Sequence, residues 1–137
     1  MAAFVKIDKF VLNLGNGVFN LATNQLKVAL TTVVPVVATA NQLSDLTEVV
    51  YTNLSAREVT TTSFTQTSGT AKLICVDLVL TATGAVANFR YVVLYSDTAS
   101  NDELIGYWDY GVGGVTLANG ETFTIDFDGS AGVLTIA

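Results

Sequence analysis

The stretch FRYVVLYSDTASNDELIGYWDYG (residues 89–111) contains two apolar and aromatic runs on either side of an acid-rich centre. In the first run, 89–96, nearly every side chain is apolar or aromatic. A strand built from it would therefore have two apolar faces, which is typical of a sheet centre covered on both sides. The second run, 104–110, is also predicted to be a strand, in which Gly106 indicates a bulge or a close backbone approach. The acid-rich centre is then the loop between the two strands.

Short strands separated by turn residues are predicted for most of the remaining chain. The β-branched and aromatic content, together with the turn residues, predicts further strands at 25–33, 57–67, 71–82, 121–127 and 132–137. The pair Asn119-Gly120, between alternating apolar residues, predicts a hairpin. No long helix is available to connect parallel strands, so the sheets should be antiparallel. We therefore expect one all-β domain over 1–137, an antiparallel β-sandwich of jelly-roll-like or Ig-like type with seven or eight strands.

The N-terminal arm, residues 1–20, differs from this pattern. Its apolar residues recur at spacings of three and four, which predicts a short helix at about 7–14 that ends at Gly15. Phe4, Phe10 and Val11 are candidates for a clamp on a neighbouring subunit. The alternative is that this helix caps its own sandwich. A second helical turn is predicted at 42–48.

The composition points to a protein partner. Half of the 137 residues are hydrophobic and 13% are charged, against a typical value of about 25%. Residues 1–68 are neutral, and residues 69–137 carry the whole net charge of −6. Nucleic-acid binding needs clustered Lys and Arg, which are missing here. No apolar run reaches the roughly 18 residues of a membrane span, and no secretory signal is recognisable. The excess apolar surface is expected to face another protein chain.

The residue types present argue against common catalytic sites. The chain has no histidine, which excludes Ser-His-Asp and Cys-His catalysis and histidine-based zinc sites. Cys75 is the single cysteine, and its apolar surroundings (KLICVDLVL) predict a core position. No phosphate-binding lysine motif occurs. We therefore expect no enzyme activity and no cofactor.

The acidic residues are the remaining candidates for chemistry. Asp109 and Asp126 form a conceivable catalytic pair, although acids are also common on the exposed face of a sheet. Two acidic segments could in principle hold an ion. The first contains Asp97, Asp102 and Glu103, and a solvated loop is favoured there; the second contains Asp126 and Asp128, and an Asp-Gly turn is favoured there. No metal site is predicted, and whether an ion is held stays open. The rings of Tyr107, Trp108 and Tyr110 are expected either to fill the core or to anchor a protein partner.

Several of these segments also support a resemblance to a known family. FRYVVLYSDTASNDELIGYWDYG, VTLANGETFTIDFDGSAGVLTIA, NQLKVALTTVVPVVATANQLSDLTEV and YTNLSAREVTTTSFTQTSGTAKL resemble small structural proteins of tailed bacteriophages. The likeness covers nearly the whole chain. It implies a non-enzymatic virion component of the capsid decoration, or cement, type, and it transfers no catalytic residue.

The expected function is therefore that of a capsid decoration protein. Such a protein, made in the host cytoplasm, would sit on the outside of the phage head. Its partners would be the major capsid protein and copies of itself, as a dimer or trimer. The alternative is a tail, neck or fibre component that binds a host receptor or glycan, which exposure of Tyr107, Trp108 or Tyr110 would favour. A wall-degrading hydrolase is disfavoured because histidine and a convincing carboxylate pair are missing.

Overall fold

The computed structural model describes residues 2–137 of the chain. Over these residues the chain is 43% strand and 8% helix. The elements in chain order are β1 (Phe4–Lys6), α1 (Asp8–Gly15), β2 (Leu26–Thr31), a 3₁₀ turn (Leu43–Asp45), β3 (Glu58–Val59), β4 (Thr61–Thr67), β5 (Thr70–Cys75), β6 (Leu78–Thr81), β7 (Val86–Phe89), β8 (Tyr91–Ser96), β9 (Leu104–Asp109), β10 (Val115–Leu117), β11 (Thr122–Ile125) and β12 (Leu134–Ile136).

The first layer is a five-stranded antiparallel sheet with the order β1-β9-β8-β2-β3. Strand β8 lies at its centre, and all six of its residues are buried. This confirms the prediction, from its apolar side chains, of a central strand covered on both faces. Gly106 shows both of the features that its position predicted. A bulge lies beside it in the β8–β9 register, and the backbone of β1 passes close to its Cα.

The second layer contains the three-stranded sheet β12-β5-β4 and two two-stranded pairs, β10-β7 and β11-β6. One hydrophobic cluster joins the two layers. Leu30, Val92 and Ile105 reach it from the first sheet, and Leu73 and Leu80 reach it from the second layer. The fold is thus the predicted antiparallel, all-β, sandwich-like type.

The predicted number of seven or eight strands was too low, since twelve strands form within residues 2–137. The predicted strand 57–67 is divided at Thr60, and the predicted strand 71–82 is divided after Cys75. At the second break the Val76 N–H donates to the Thr60 carbonyl (2.9 Å). An apolar pattern continues through such a corner, so the pattern cannot reveal the break.

The predicted hairpin at Asn119-Gly120 was wrong in its pairing. The turn forms, because the Glu121 N–H donates to the Ala118 carbonyl (3.1 Å). However, β10 pairs with β7 and β11 pairs with β6. The turn is joined to Ala82, whose carbonyl accepts from the Gly120 N–H (2.8 Å) and whose N–H donates to the Glu121 carbonyl (2.9 Å). Segments 78–89 and 115–125 therefore form one bent ribbon.

The outer face of the five-stranded sheet is covered by the segment between β2 and β3. Side chains from this segment, including Val37 and Leu43, pack on Tyr91 and Val93 of β8. The predicted turn at 42–48 is the 3₁₀ turn, in which the Asp45 carboxylate accepts from the backbone N–H groups of Asn41 (2.8 Å) and Gln42 (3.0 Å). The predicted N-terminal helix is α1. Between residues 2 and 137, no helix is both long enough and apolar enough to cross a membrane.

Candidate protein interface

The aromatic residues of the N-terminal arm point into the protein. The Phe4 ring lies 4.9 Å from the ring of Trp108, and the Phe10 ring lies 5.2 Å from that of Phe19. Phe10 is fully buried and belongs to the main hydrophobic cluster. These contacts favour the alternative in which the arm caps its own sandwich. Val11, on the other face of α1, is 54% exposed and remains available to a partner.

The three rings near the end of β9 also lie in or against the core. Trp108 is only 3% exposed. Tyr107 points to the opposite face of the sheet, where it meets Tyr91 edge to face at 5.9 Å. Tyr110 is half-buried, with its ring 4.9 Å from that of Phe123. Of the two alternatives, the structure favours the core for these rings.

Several other apolar side chains are exposed, and three of them are close neighbours in the loop after β2. We name Val33, Val34 and Val36 the valine loop; these side chains are 58%, 46% and 60% exposed. Pro35 between them is buried. Single exposed apolar residues are ordinary, but three neighbouring valines form a contiguous patch of the kind that marks protein-binding sites.

Hydrogen bonds at both ends hold the valine loop in place. The Val33 N–H donates to the Thr31 hydroxyl (3.1 Å), just after β2 ends. At the other end, the Val36 carbonyl accepts from the N–H groups of Thr39 (3.0 Å) and Ala40 (2.8 Å). The loop is also tied to α1, because the Asp8 N–H donates to the Val37 carbonyl (3.1 Å). Since the backbone is fixed and Pro35 is buried, the three valines are held outward.

A pocket of about 390 Å³ lies beside the valine loop. Besides the three valines, its wall includes Pro35, Ala40 and Leu46. Its one acidic side chain, Asp45, is already engaged with the two backbone N–H groups of the 3₁₀ turn. The pocket therefore continues the apolar character of the loop and presents no free carboxylate pair for catalysis.

Two of the three acids between β8 and β9 are held in place by contacts within the protein. Asp97 forms an ion pair with Lys27 (3.3 Å). Glu103 is buried, and its two oxygens accept from the backbone and side-chain nitrogens of Asn101 (3.1 and 3.0 Å). Partial burial, together with the charges of Asp97 and Glu103, raises the pKa of the Asp102 carboxyl.

The second acidic segment, DFDGSAG, is a turn of the Asp-Gly type that the sequence favoured. Asp126 Oδ1 accepts from the Asp128 N–H (2.8 Å). Asp128 Oδ1 accepts from the N–H groups of Ser130 (3.0 Å) and Ala131 (2.9 Å), which lowers the pKa of Asp128. Within residues 2–137, no three His, Cys, Asp or Glu side chains come together as a metal site.

Asp109 is paired with a base rather than with a second acid. Its two carboxylate oxygens accept from Nε and the terminal NH2 nitrogen of Arg90, each at 2.7 Å. These hydrogen bonds, with a further one from the Gly111 N–H, lower the pKa of Asp109 to about 2. A carboxylate held in this way is a poor proton donor or acceptor near neutral pH.

Two features of the folded protein were not predicted from the sequence. The first is the valine loop, for which the signal was the apolar run VVPVV, interrupted by a proline that excludes a central strand. The second is a cluster in which the Arg57 guanidinium lies 3.6 Å from the centroid of the Tyr51 ring. The Tyr51 hydroxyl donates to Glu48 (2.7 Å) and accepts from the Leu30 N–H (2.9 Å). No local sequence pattern signals this cluster.

Comparison of the chain with protein-family models, with curated proteins and with solved structures gave no match. The resemblance to virion proteins therefore stays a prediction.

Proposed function

We propose that this chain is a non-enzymatic bacteriophage virion protein of the capsid decoration, or cement, type. It would bind the outer surface of the head through the valine loop and stabilise the contacts between subunits of the major capsid protein. The observation that carries the proposal is the set of three exposed valines, which hydrogen bonds at both ends of the loop hold outward. Burying a valine side chain against a partner contributes about 1.5–3 kcal/mol to the binding free energy. In a shell, the same contact is repeated by many symmetric copies, so the stabilisation adds up over the whole head.

Two further observations support this proposal. Two of the acidic side chains are engaged in contacts within the protein and are not free for catalysis: Asp109 pairs with Arg90, and Asp45 accepts from the backbone of the 3₁₀ turn. The net charge of −6 lies in residues 69–137, which suits a surface that faces solvent rather than packaged nucleic acid.

The alternative, a tail, neck or fibre component that binds glycans, rested on exposed aromatic rings. Trp108 and Tyr107 are buried, and Tyr110 packs on Phe123, so they offer no open stacking platform for a sugar. The head location is therefore the stronger proposal of the two.

The decisive experiment measures copy number in virions of a phage that encodes this chain, by quantitative mass spectrometry against the major capsid protein. A fixed ratio to the capsid protein, with a copy for every few capsid subunits, supports decoration. A few copies per particle would overturn it in favour of the tail or neck.

The proposed surface has its own test, which uses heads that lack this protein. We expect Val36→Glu to weaken binding to such heads by about tenfold or more, because a carboxylate would be buried against the partner. Val79→Glu is the matched control, since Val79 is 51% exposed and lies in β6 of the second layer, whereas the valine loop belongs to the segment that covers the outer face of the five-stranded sheet. Equal binding of both variants would show that another surface contacts the head.

A further inference from the structure

Strand β4 forms one edge of the sheet β12-β5-β4. At seven residues it is the longest strand within residues 2–137, and β5 is the strand with which it pairs. Its other side borders no strand in the described part of the chain. An edge of this length presents a row of N–H and C=O groups that another strand can pair with.

The hairpin turn between β4 and β5 shows which backbone groups face the open side. Ser68 and Gly69 both have positive φ (51° and 84°), as in a two-residue hairpin loop flanked by Thr67 and Thr70. In such a loop the two flanking residues, Thr67 and Thr70, form backbone hydrogen bonds with each other. Further along the strands, opposite residues alternate between pairs without and pairs with such mutual hydrogen bonds. The backbone groups of Thr67 and Thr65 therefore face β5, and those of Gln66 and Phe64 face outward.

A hydrogen bond on the other side of β5 supports this assignment. Leu73 is opposite Phe64 in the β4–β5 register, and its carbonyl accepts from the Val133 N–H (2.8 Å) next to β12. The Leu73 carbonyl therefore points away from β4. By the alternation of an antiparallel ladder, Phe64 and Leu73 form a pair without mutual hydrogen bonds, so the Phe64 backbone groups point to the open side.

The edge also lacks the charges that usually protect one. Residues 59–71 contain no charged residue and no proline, although the chain as a whole carries a charge of −6. The two edges of the five-stranded sheet, in contrast, are short and charged, with Lys6 in β1 and Glu58 in β3. Two copies of an acidic protein repel each other, and they repel least where a neutral surface meets a neutral surface. The occupant that fits this neutral edge is a second copy of β4.

We propose that two copies of this chain pair antiparallel through β4, about a two-fold axis at Thr65. Phe64 of one copy would then exchange backbone hydrogen bonds with Gln66 of the partner subunit, twice by symmetry. This register uses the regular part of the strand, because the β4–β5 ladder has an irregularity between Thr61 and Ser63. The inference does not rest on the proposed function, since it concerns the isolated protein and needs no capsid.

The first test is sedimentation equilibrium of the full chain over a range of concentrations. We expect a monomer–dimer equilibrium whose dissociation constant rises about fivefold or more in Thr65→Lys, because two ammonium groups would face each other across the axis. Thr124→Lys makes the same change at an exposed position of β11 and is expected to leave the equilibrium unchanged. Both sites are exposed, so circular dichroism should show folded protein in each case.

Two further measurements locate the contact. Cross-strand neighbours without mutual hydrogen bonds have Cα atoms about 4.5 Å apart, so oxidised Thr65→Cys should form a covalent dimer, whereas Thr124→Cys should not. The native Cys75 is buried and does not interfere. Amide exchange at Phe64 and Gln66 should slow as concentration rises. A monomer at all concentrations, or a dimer in which these amides still exchange rapidly, would overturn the proposal.

Discussion

A β-carbon placed on Gly106 would overlap Cζ of Phe4 and would lie 2.6 Å from the backbone carbonyl oxygen of Val5. Glycine at this position therefore allows β1 to lie directly against β9. The same contact lets the Phe4 ring cover Trp108, which closes that end of the main hydrophobic cluster.

Replacing this glycine should loosen β1. We expect Gly106→Ala to lower the free energy of unfolding by about 1–3 kcal/mol, because the obstructing atom at Val5 is backbone and cannot rotate away. Urea denaturation followed by Trp108 fluorescence measures the change. Gly113→Ala is the control, since a β-carbon there meets no atom within 4 Å, and its effect should stay within about 0.5 kcal/mol. Equal losses in the two variants would contradict the close contact.

The Arg90–Asp109 pair should make stability depend on pH in the acid range. The folded protein holds the pKa of Asp109 at about 2, below its ordinary value of 3.8. The unfolded chain therefore binds more protons between these values, and the stabilisation, complete above about pH 4, is lost as the pH falls towards 2.

Replacement of either partner tests this prediction. The free energy of unfolding should depend less steeply on pH in that window for both Asp109→Asn and Arg90→Gln, measured by urea denaturation at several pH values. An NMR titration of the Asp109 carboxyl should show its pKa rising towards 3.8 in Arg90→Gln. An unchanged titration would mean that the ion pair does not form in solution.

The Tyr51 hydroxyl links the Glu48 carboxylate to the Leu30 N–H, near the end of β2. We expect Tyr51→Phe to cost about 1–3 kcal/mol of stability, because the Leu30 N–H loses its partner beside the core. Thermal or urea unfolding measures the loss. Tyr110→Phe is a suitable control, since the ring of Tyr110, rather than its hydroxyl, makes the contact with Phe123. A similar cost for both changes would show that the hydroxyl bridge contributes nothing specific.

Cys75 should be unreactive in the folded protein. Burial raises the pKa of its thiol to about 11, so almost no thiolate exists at neutral pH. We expect alkylation by iodoacetamide to be slow in buffer and fast in urea, with mass spectrometry as the readout. An exposed thiol introduced by Val112→Cys should react quickly in buffer. Rapid labelling of Cys75 without denaturant would contradict its core position.

Local sequence patterns predicted most of the helices and strands, because the periodicity of one such element depends only on residues within its own segment. The spacing of Phe10 and Leu14 predicted the helix that forms at Asp8–Gly15, and the apolar run in 89–96 predicted the buried central strand β8. Gly106 predicted a bulge or a close backbone approach, and both occur.

Pairing and side-chain direction were less predictable. The Asn119-Gly120 signal predicted that β10 and β11 would pair with each other, whereas each found a partner in the segment 78–89. Strict alternation along β9 would place Ile105 on the same face as Tyr107. The bulge shifts Ile105 to the face of Trp108, in the main cluster. One extra residue in a strand reverses every later side chain relative to those before it.

The surfaces offered to a partner were also decided by the tertiary structure. The all-β class, the low charge and the apolar surplus can be read from the sequence alone, because composition and periodicity are properties of single residues and single strands. The folded structure was needed to see that Phe10 and Trp108 fill the core, that the valine loop stays exposed, and that β4 lies at an edge. Burial and strand order depend on contacts between residues far apart in the chain, and a local pattern carries no information about which distant segment will supply them.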